Sequence, residues 1–161
     1  MKLAQMFKYA WLFALILTLS CRNGLSNEQT KPTVIVKAAA QLQSAAVERV
    51  EYYYLPEREL TQHAIEPDSL VSDAPYKATL GEVSTRFLSE IAEAMQSSTY
   101  ESDSTKGDMR FGVILYNTSG EKMLSIFFDQ SRTRAIINDA SFRVTGNLRE
   151  TLFRRIKCLV E

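Results

Sequence analysis

Histidine is nearly absent from this chain: among 161 residues there is one, His63. A zinc site needs three or four His, Cys or carboxylate ligands, so His63 with nearby acids makes a poor metal centre. A Ser-His-Asp type of active site also needs an activated nucleophile, and no Gly-x-Ser-x-Gly elbow occurs. The six glycines form no phosphate-cradling loop and no dinucleotide fingerprint. Charge of one sign is also lacking. Nineteen basic residues balance nineteen acidic ones, whereas a nucleic-acid partner usually demands a basic excess. No cofactor, metal or nucleic acid is therefore expected.

One long apolar run is present. Lys2 and Lys8 make a basic start, Tyr9 to Leu19 carries no charge, and Ser20-Cys21 follows. The run is too short for a membrane-spanning helix, which needs about 20 apolar residues. A basic start, a short apolar stretch and a small residue before a cut describe a secretory signal.

Leu17-Thr18-Leu19-Ser20-Cys21 resembles the lipobox of bacterial lipoprotein precursors, with Thr18 where Leu is usual. The resemblance covers residues 1–22. It implies cleavage between Ser20 and Cys21, and lipidation of Cys21 with diacylglycerol and palmitate-type chains. Two or more acyl chains anchor a protein stably, at about 0.8 kcal/mol per buried methylene. Arg22 follows the cysteine. The resemblance then implies a bacterial envelope protein, at the outer membrane and facing the periplasm, because the Asp that retains such proteins at the inner membrane is absent. It also leaves Cys158 without a partner in its own chain; a buried small hydrophobe is the preferred reading of that thiol, over pairing between molecules.

Composition shifts divide the chain into a signal over 1–20, lipidated Cys21 with a tether over 21–46, and one domain over 47–161. Residues 22–33 are polar. Ala38 to Ala46 is Ala-rich and has helical potential, but little apolar face to pack with. From Val47 the pattern is globular. Val50, Tyr52 and Tyr54 alternate with Glu51 and Tyr53, and Tyr76, Ala78 and Leu80 with Lys77 and Thr79, as strands do. Val83, Phe87, Leu88, Ile91 and Met95 then fall at helical spacing, predicting a helix over 82–97. Residues 97–107 read as polar loop.

Met109, Phe111, Val113 and Leu115 are expected on one strand face. Turns at Asn117–Gly120, Gln130-Ser131 and Asn138-Asp139 separate further strands over 122–129, 133–137 and 141–144. Asn147 and Glu150 suit a capping box, ahead of Leu148, Leu152, Ile156 and Leu159 on one helical face. The fold expected is α+β: an antiparallel sheet of five or six strands, with two amphipathic helices on one face.

Such a sheet leaves its second face open. Tyr53 and Phe127 are the candidate partner surface on that face, since an exposed apolar patch on a small protein marks an interaction site. Gly112 is read as a bulge or a close contact. Glu57, Glu59, Glu66, Asp68 and Asp73 are loop acids with no pattern that singles out a glycosidase pair. Charge is uneven: residues 48–73 hold seven acids and two bases, and residues 131–161 seven bases and three acids. The expectation is a non-enzymatic, lipid-anchored binding protein, with immunity or inhibitor proteins as the analogy. An accessory component of an envelope assembly comes second. A hydrolase using His63 or the loop acids comes last.

Overall fold

The computed structural model describes residues 31–56, 59, 61, 63–105, 107–152 and 154. The signal segment with Ser20 and Cys21, the acid Glu57, and Ile156, Cys158 and Leu159 lie outside the described residues. Among the described residues, no helix is long and apolar enough to cross a membrane.

Seven strands form one antiparallel sheet: β1 (Val47–Tyr54), β2 (Tyr76–Gly81), β3 (Thr99–Ser102), β4 (Met109–Asn117), β5 (Lys122–Asp129), β6 (Arg134–Ile137) and β7 (Ala140–Thr145). Their spatial order is β2-β1-β4-β5-β6-β7-β3. The helices are α1 (Thr33–Ser44), α2 (Pro67–Asp73) and α3 (Thr85–Ser97), and a fourth, α4, is described over 148–152 and 154. The class is α+β as expected, with more strands.

Local chemistry explains the meander β4 to β7. Asn117 Oδ1 accepts hydrogen bonds from the backbone N–H of Ser119 at 3.0 Å and of Glu121 at 2.8 Å, and Gly120 supplies a φ of 77°. Asn138 and Asp139 both adopt positive φ, 45° and 67°, the two-residue hairpin turn whose twist matches the strands. Asn138 Oδ1 also accepts from Ser125 N–H at 2.9 Å, which ties that turn back onto β5.

The helix side of the sheet holds the larger core. Val50, Tyr52, Phe111, Val113, Leu115, Leu124, Ile126, Phe128, Ile137, Phe142 and Val144 pack beneath Phe87, Leu88, Ile91 and Met95 of α3. Ser84 Oγ caps α3 by accepting from Phe87 N–H at 3.3 Å, so the helix starts three residues later than the periodicity suggests. Asn147 Oδ1 accepts from Ser97 Oγ at 3.0 Å, joining the end of α3 to the start of α4.

Three expectations need correcting. Residues 33–44, assigned to the tether, are a helix that buries Ile35, Ala38, Ala39 and Leu42. Their i, i+3, i+4, i+7 spacing makes one apolar stripe, and the alanines let α1 and α3 approach closely. The packed domain therefore starts before Val47. Residues 99–102, assigned to a loop, form edge strand β3: Tyr100 is buried and its hydroxyl donates to Met95 O at 2.9 Å. Finally, the ladder shifts register between Met109 and Phe111. The extra residue at this bulge sends Met109 to the second face of the sheet, away from Phe111, Val113 and Leu115.

Candidate interaction surface on the second sheet face

The second face is not open throughout. Tyr53, Ile114 and Phe127 share it, as expected for Tyr53 and Phe127, yet a second apolar cluster covers them. Leu70 and Ala74 come from α2 and its end, and Leu55 from the end of β1; Ile65 and Val71 pack against them. Tyr53 is 7% exposed and Phe127 5%. The expected partner surface built on these two rings is thus corrected: they are the floor of a second core.

Gly112 explains how Phe127 fits. A methyl added at Gly112 would stand 2.7 Å from two ring carbons of Phe127, and 3.4 Å from Leu70 Cδ2. Phe127 is also the cross-strand partner of Gly112. The absent side chain leaves room for the ring, the close contact that a lone strand glycine announces.

The connection over 55–66 is clamped by the bulge. Arg110, 5% exposed, donates from Nε to Asp108 Oδ2 at 2.8 Å, from Nη1 to Glu59 O at 2.8 Å and from Nη2 to Thr61 Oγ1 at 3.1 Å. Asp108 Oδ1 accepts from Ile65 N–H at 2.9 Å, and Met109 N–H donates to Ile65 O at 2.8 Å. One guanidinium and one carboxylate so satisfy several backbone groups of a long connection. That connection carries no periodicity, but its apolar Ile65, with Leu70, Val71 and Ala74 of the short helix that follows, is the signal that this segment packs.

Beyond α2, polar groups surface. Glu51 Oε2 accepts from Tyr53 Oη at 2.6 Å and Glu51 Oε1 from Arg49 Nε at 3.0 Å. The Arg49 guanidinium lies 4.0 Å from the centre of the Tyr116 ring, its cross-strand neighbour. Partial burial pushes the Glu51 carboxyl up, but hydrogen bonds from Tyr53, Tyr116 and Arg49 outweigh it and hold the group below its ordinary value. Burial, and then the Glu51 carboxylate, push the Tyr53 hydroxyl well above its ordinary range. A carboxylate whose two oxygens are both engaged is a weak base, whereas Arg and Tyr, here the partly exposed Arg49 and Tyr116, are residue types enriched at interaction surfaces.

Across the face, Asp103 Oδ2 accepts from Arg134 Nε at 2.9 Å and lies 3.9 Å from Arg143 Nη2. Hydrogen bonds from Thr105, with Arg134 adding to them, hold the Asp103 carboxyl down at about 2. Beside the start of α2 lies a groove of about 300 Å³, lined by Glu66, Pro67, Ser104, Thr105, Ile136 and Asp139.

The sequence-level acid and base candidates do not converge. His63, Glu59, Glu66, Asp68 and Asp73 are all exposed. Asp68 sits in the first turn of α2 and Asp73 at its end, where it accepts from Ser72 Oγ at 2.7 Å. Among the described residues, no group of three His, Cys, Asp or Glu side chains is arranged to hold a metal. In comparison with known proteins, the chain matches no family model, no curated protein and no solved structure.

Proposed function

We propose that this chain is a lipid-anchored protein of the bacterial envelope, held at the outer membrane through Cys21, whose α+β domain binds another protein. The observation that carries the reading is the run from Tyr9 to Leu19 ending in Ser20-Cys21. Residues 22–30 then separate Cys21 from a folded unit whose described residues begin at Lys31. The reach from Cys21 to Lys31 is at most ~36 Å when extended, so the domain works close to its membrane. An immunity or inhibitor role suits a small tethered binder. What favours binding over chemistry at the polar patch is that Arg49, Glu51 and Tyr53 already engage one another.

The test is mass analysis of the N-terminal peptide, with fractionation of Cys21→Ser beside the wild type. The expected result is cleavage before Cys21, acyl mass on it, and release or non-processing of the variant. Wild-type processing and membrane retention of Cys21→Ser would defeat the anchor. Crosslinking in envelopes tests the binding half: a discrete partner, lost on Arg49→Glu, supports it, and an unchanged crosslinking pattern counts against this patch.

A further inference from the structure

The sheet has two edges, and they are built differently. At one, β3 is four residues long and its exposed Glu101 lies opposite Arg143. Asp103, just beyond the strand, donates its N–H to Ser141 O at 3.1 Å and takes Arg134 as its ion-pair partner. Short length and charge are the ordinary ways to blunt an edge. At the other, β2 runs for six residues, pairs only with β1 among the described strands, and contains no proline. Its one charge, Lys77, is exposed near the start of the strand, where Nζ donates to Ser72 O at 2.9 Å and sits 5.9 Å from the Tyr53 ring centre, so the stretch from Ala78 to Gly81 carries no charge. The edge therefore offers a strand's length of backbone donors and acceptors to an added chain.

A groove accompanies it. A hollow of about 320 Å³ opens between the end of β2 and the first turn of α3, lined by Leu80, Val83 and Phe87 with Val50 behind. Leu80 faces the helix side of the sheet and is only half-buried. Because side chains alternate across a strand, every second residue of a chain laid along β2 would point to the helix side of the sheet, and the one beside Leu80 would point toward this hollow. An apolar side chain there would complete the core edge that Leu80 and Val83 leave exposed.

Charge decides between occupants. Asp73 precedes β2, Glu82 follows it and lines the groove, and both are exposed. A second copy paired antiparallel through β2 would bring these acids together at both ends of the added strand, and like charges facing one another oppose pairing. An extended segment that is apolar in the middle and basic at its ends meets opposite charge at Asp73 and at Glu82, with Lys77 the one cation on the strand itself.

We propose that the outer edge of β2 is a strand-addition site for an extended, apolar segment of a partner protein flanked by basic residues. The proposal rests on the protein-binding reading above and specifies how that binding is made. Its failure would leave the mass of the Cys21 peptide, and thus the anchor, untouched.

The probe is a capped seven-residue peptide, Lys-Val-Thr-Val-Thr-Val-Lys, with a twin carrying Glu at both ends. Amide hydrogen exchange is read across residues 76–81 and 99–102 of the full chain in non-ionic detergent. The lysine peptide should slow exchange in β2 at least tenfold, leave β3 unchanged, and outcompete its twin. In Glu82→Lys the preference between the two peptides should shrink or reverse, a readout that a folding defect does not mimic. Leu80→Lys should abolish the protection while exchange in β4 and β5 stays as in wild type. No peptide-dependent slowing, equal slowing by both peptides, or equal slowing at β3 would overturn the proposal. So would slowing that appears without peptide as protein concentration rises, since that marks pairing between copies.

Discussion

The two faces of the sheet solve the same problem with different means. The helix face is covered by α1, α3 and α4, and its contact residues are mostly Ile, Leu, Val, Phe and Ala, with Tyr52, Tyr100 and Met95 among them. The second face is covered by one helix of seven residues and a connection with little regular structure. Regular helices bury an apolar stripe through their own periodicity. An irregular segment has no internal partners for its backbone, so it needs borrowed ones. Arg110 and Asp108 supply them: a charged pair, costly to bury, is tolerated because it satisfies carbonyls and an amide that would otherwise be orphaned.

The largest loss of stability is expected on the helix face. Phe128 is fully buried and packs on Phe111 at 6.3 Å between ring centres. Phe128→Ala should cost about 3–5 kcal/mol, through lost burial and the cavity left behind, read as a lowered denaturant midpoint for the whole domain. Arg110→Met should act differently. It removes the donors that hold 55–66 and should cost about 2–4 kcal/mol, below the full figure for a broken buried pair because Asp108 keeps some contact with water. Its signature is local: exchange and proteolysis should rise in 55–66 before the rest of the sheet opens. Uniform destabilisation instead would show that both faces form one cooperative unit.

Smaller effects sharpen the contrast. Gly112→Ala should cost about 1–3 kcal/mol, since the added methyl meets the Phe127 ring. Combined with Phe127→Leu, its cost should fall below the sum of the two single changes, as measured by a double-mutant cycle in urea. The smallest effect belongs to Asp103, whose arginine partners are partly exposed to water. Its carboxyl titrates at about 2 in the folded protein, below its ordinary value of 3.8. A depressed folded value contributes stability above the ordinary value and loses it as pH falls toward 2. Asp103→Asn should therefore flatten the acid limb of stability between those values and lower stability above them, as read from urea midpoints across that pH range. An unaltered acid limb would place the charge contribution elsewhere.

Much of the fold was legible because its signals are local. Alternation at Val50–Tyr54 and over 122–129, helical spacing from Phe87 to Met95, and the turn residues Asn117, Gly120, Asn138 and Asp139 each reflect a few neighbouring residues. A lone strand glycine announced a bulge or a close contact at Gly112, but its partner Phe127 comes from the neighbouring strand. What was missed depends on distant partners. An Ala-rich stretch is a poor helix alone, and α1 exists because α3 lies against it. Strand β3 is four residues that pair with β7 some forty positions on. The bulge at Arg110 is visible only in the register against β5.

The amino-acid sequence by itself determined the α+β class, the meander and its turns, and the resemblance at Leu17 to Cys21, because each rests on residues adjacent in the chain. Tertiary structure alone decided what covers Tyr53 and Phe127, where Arg110 anchors the connection, and that β2 is the longer, less protected edge. A strand's two faces and a sheet's two edges are alike until something packs on one of them. Which one is covered depends on long-range packing, and no local period records it.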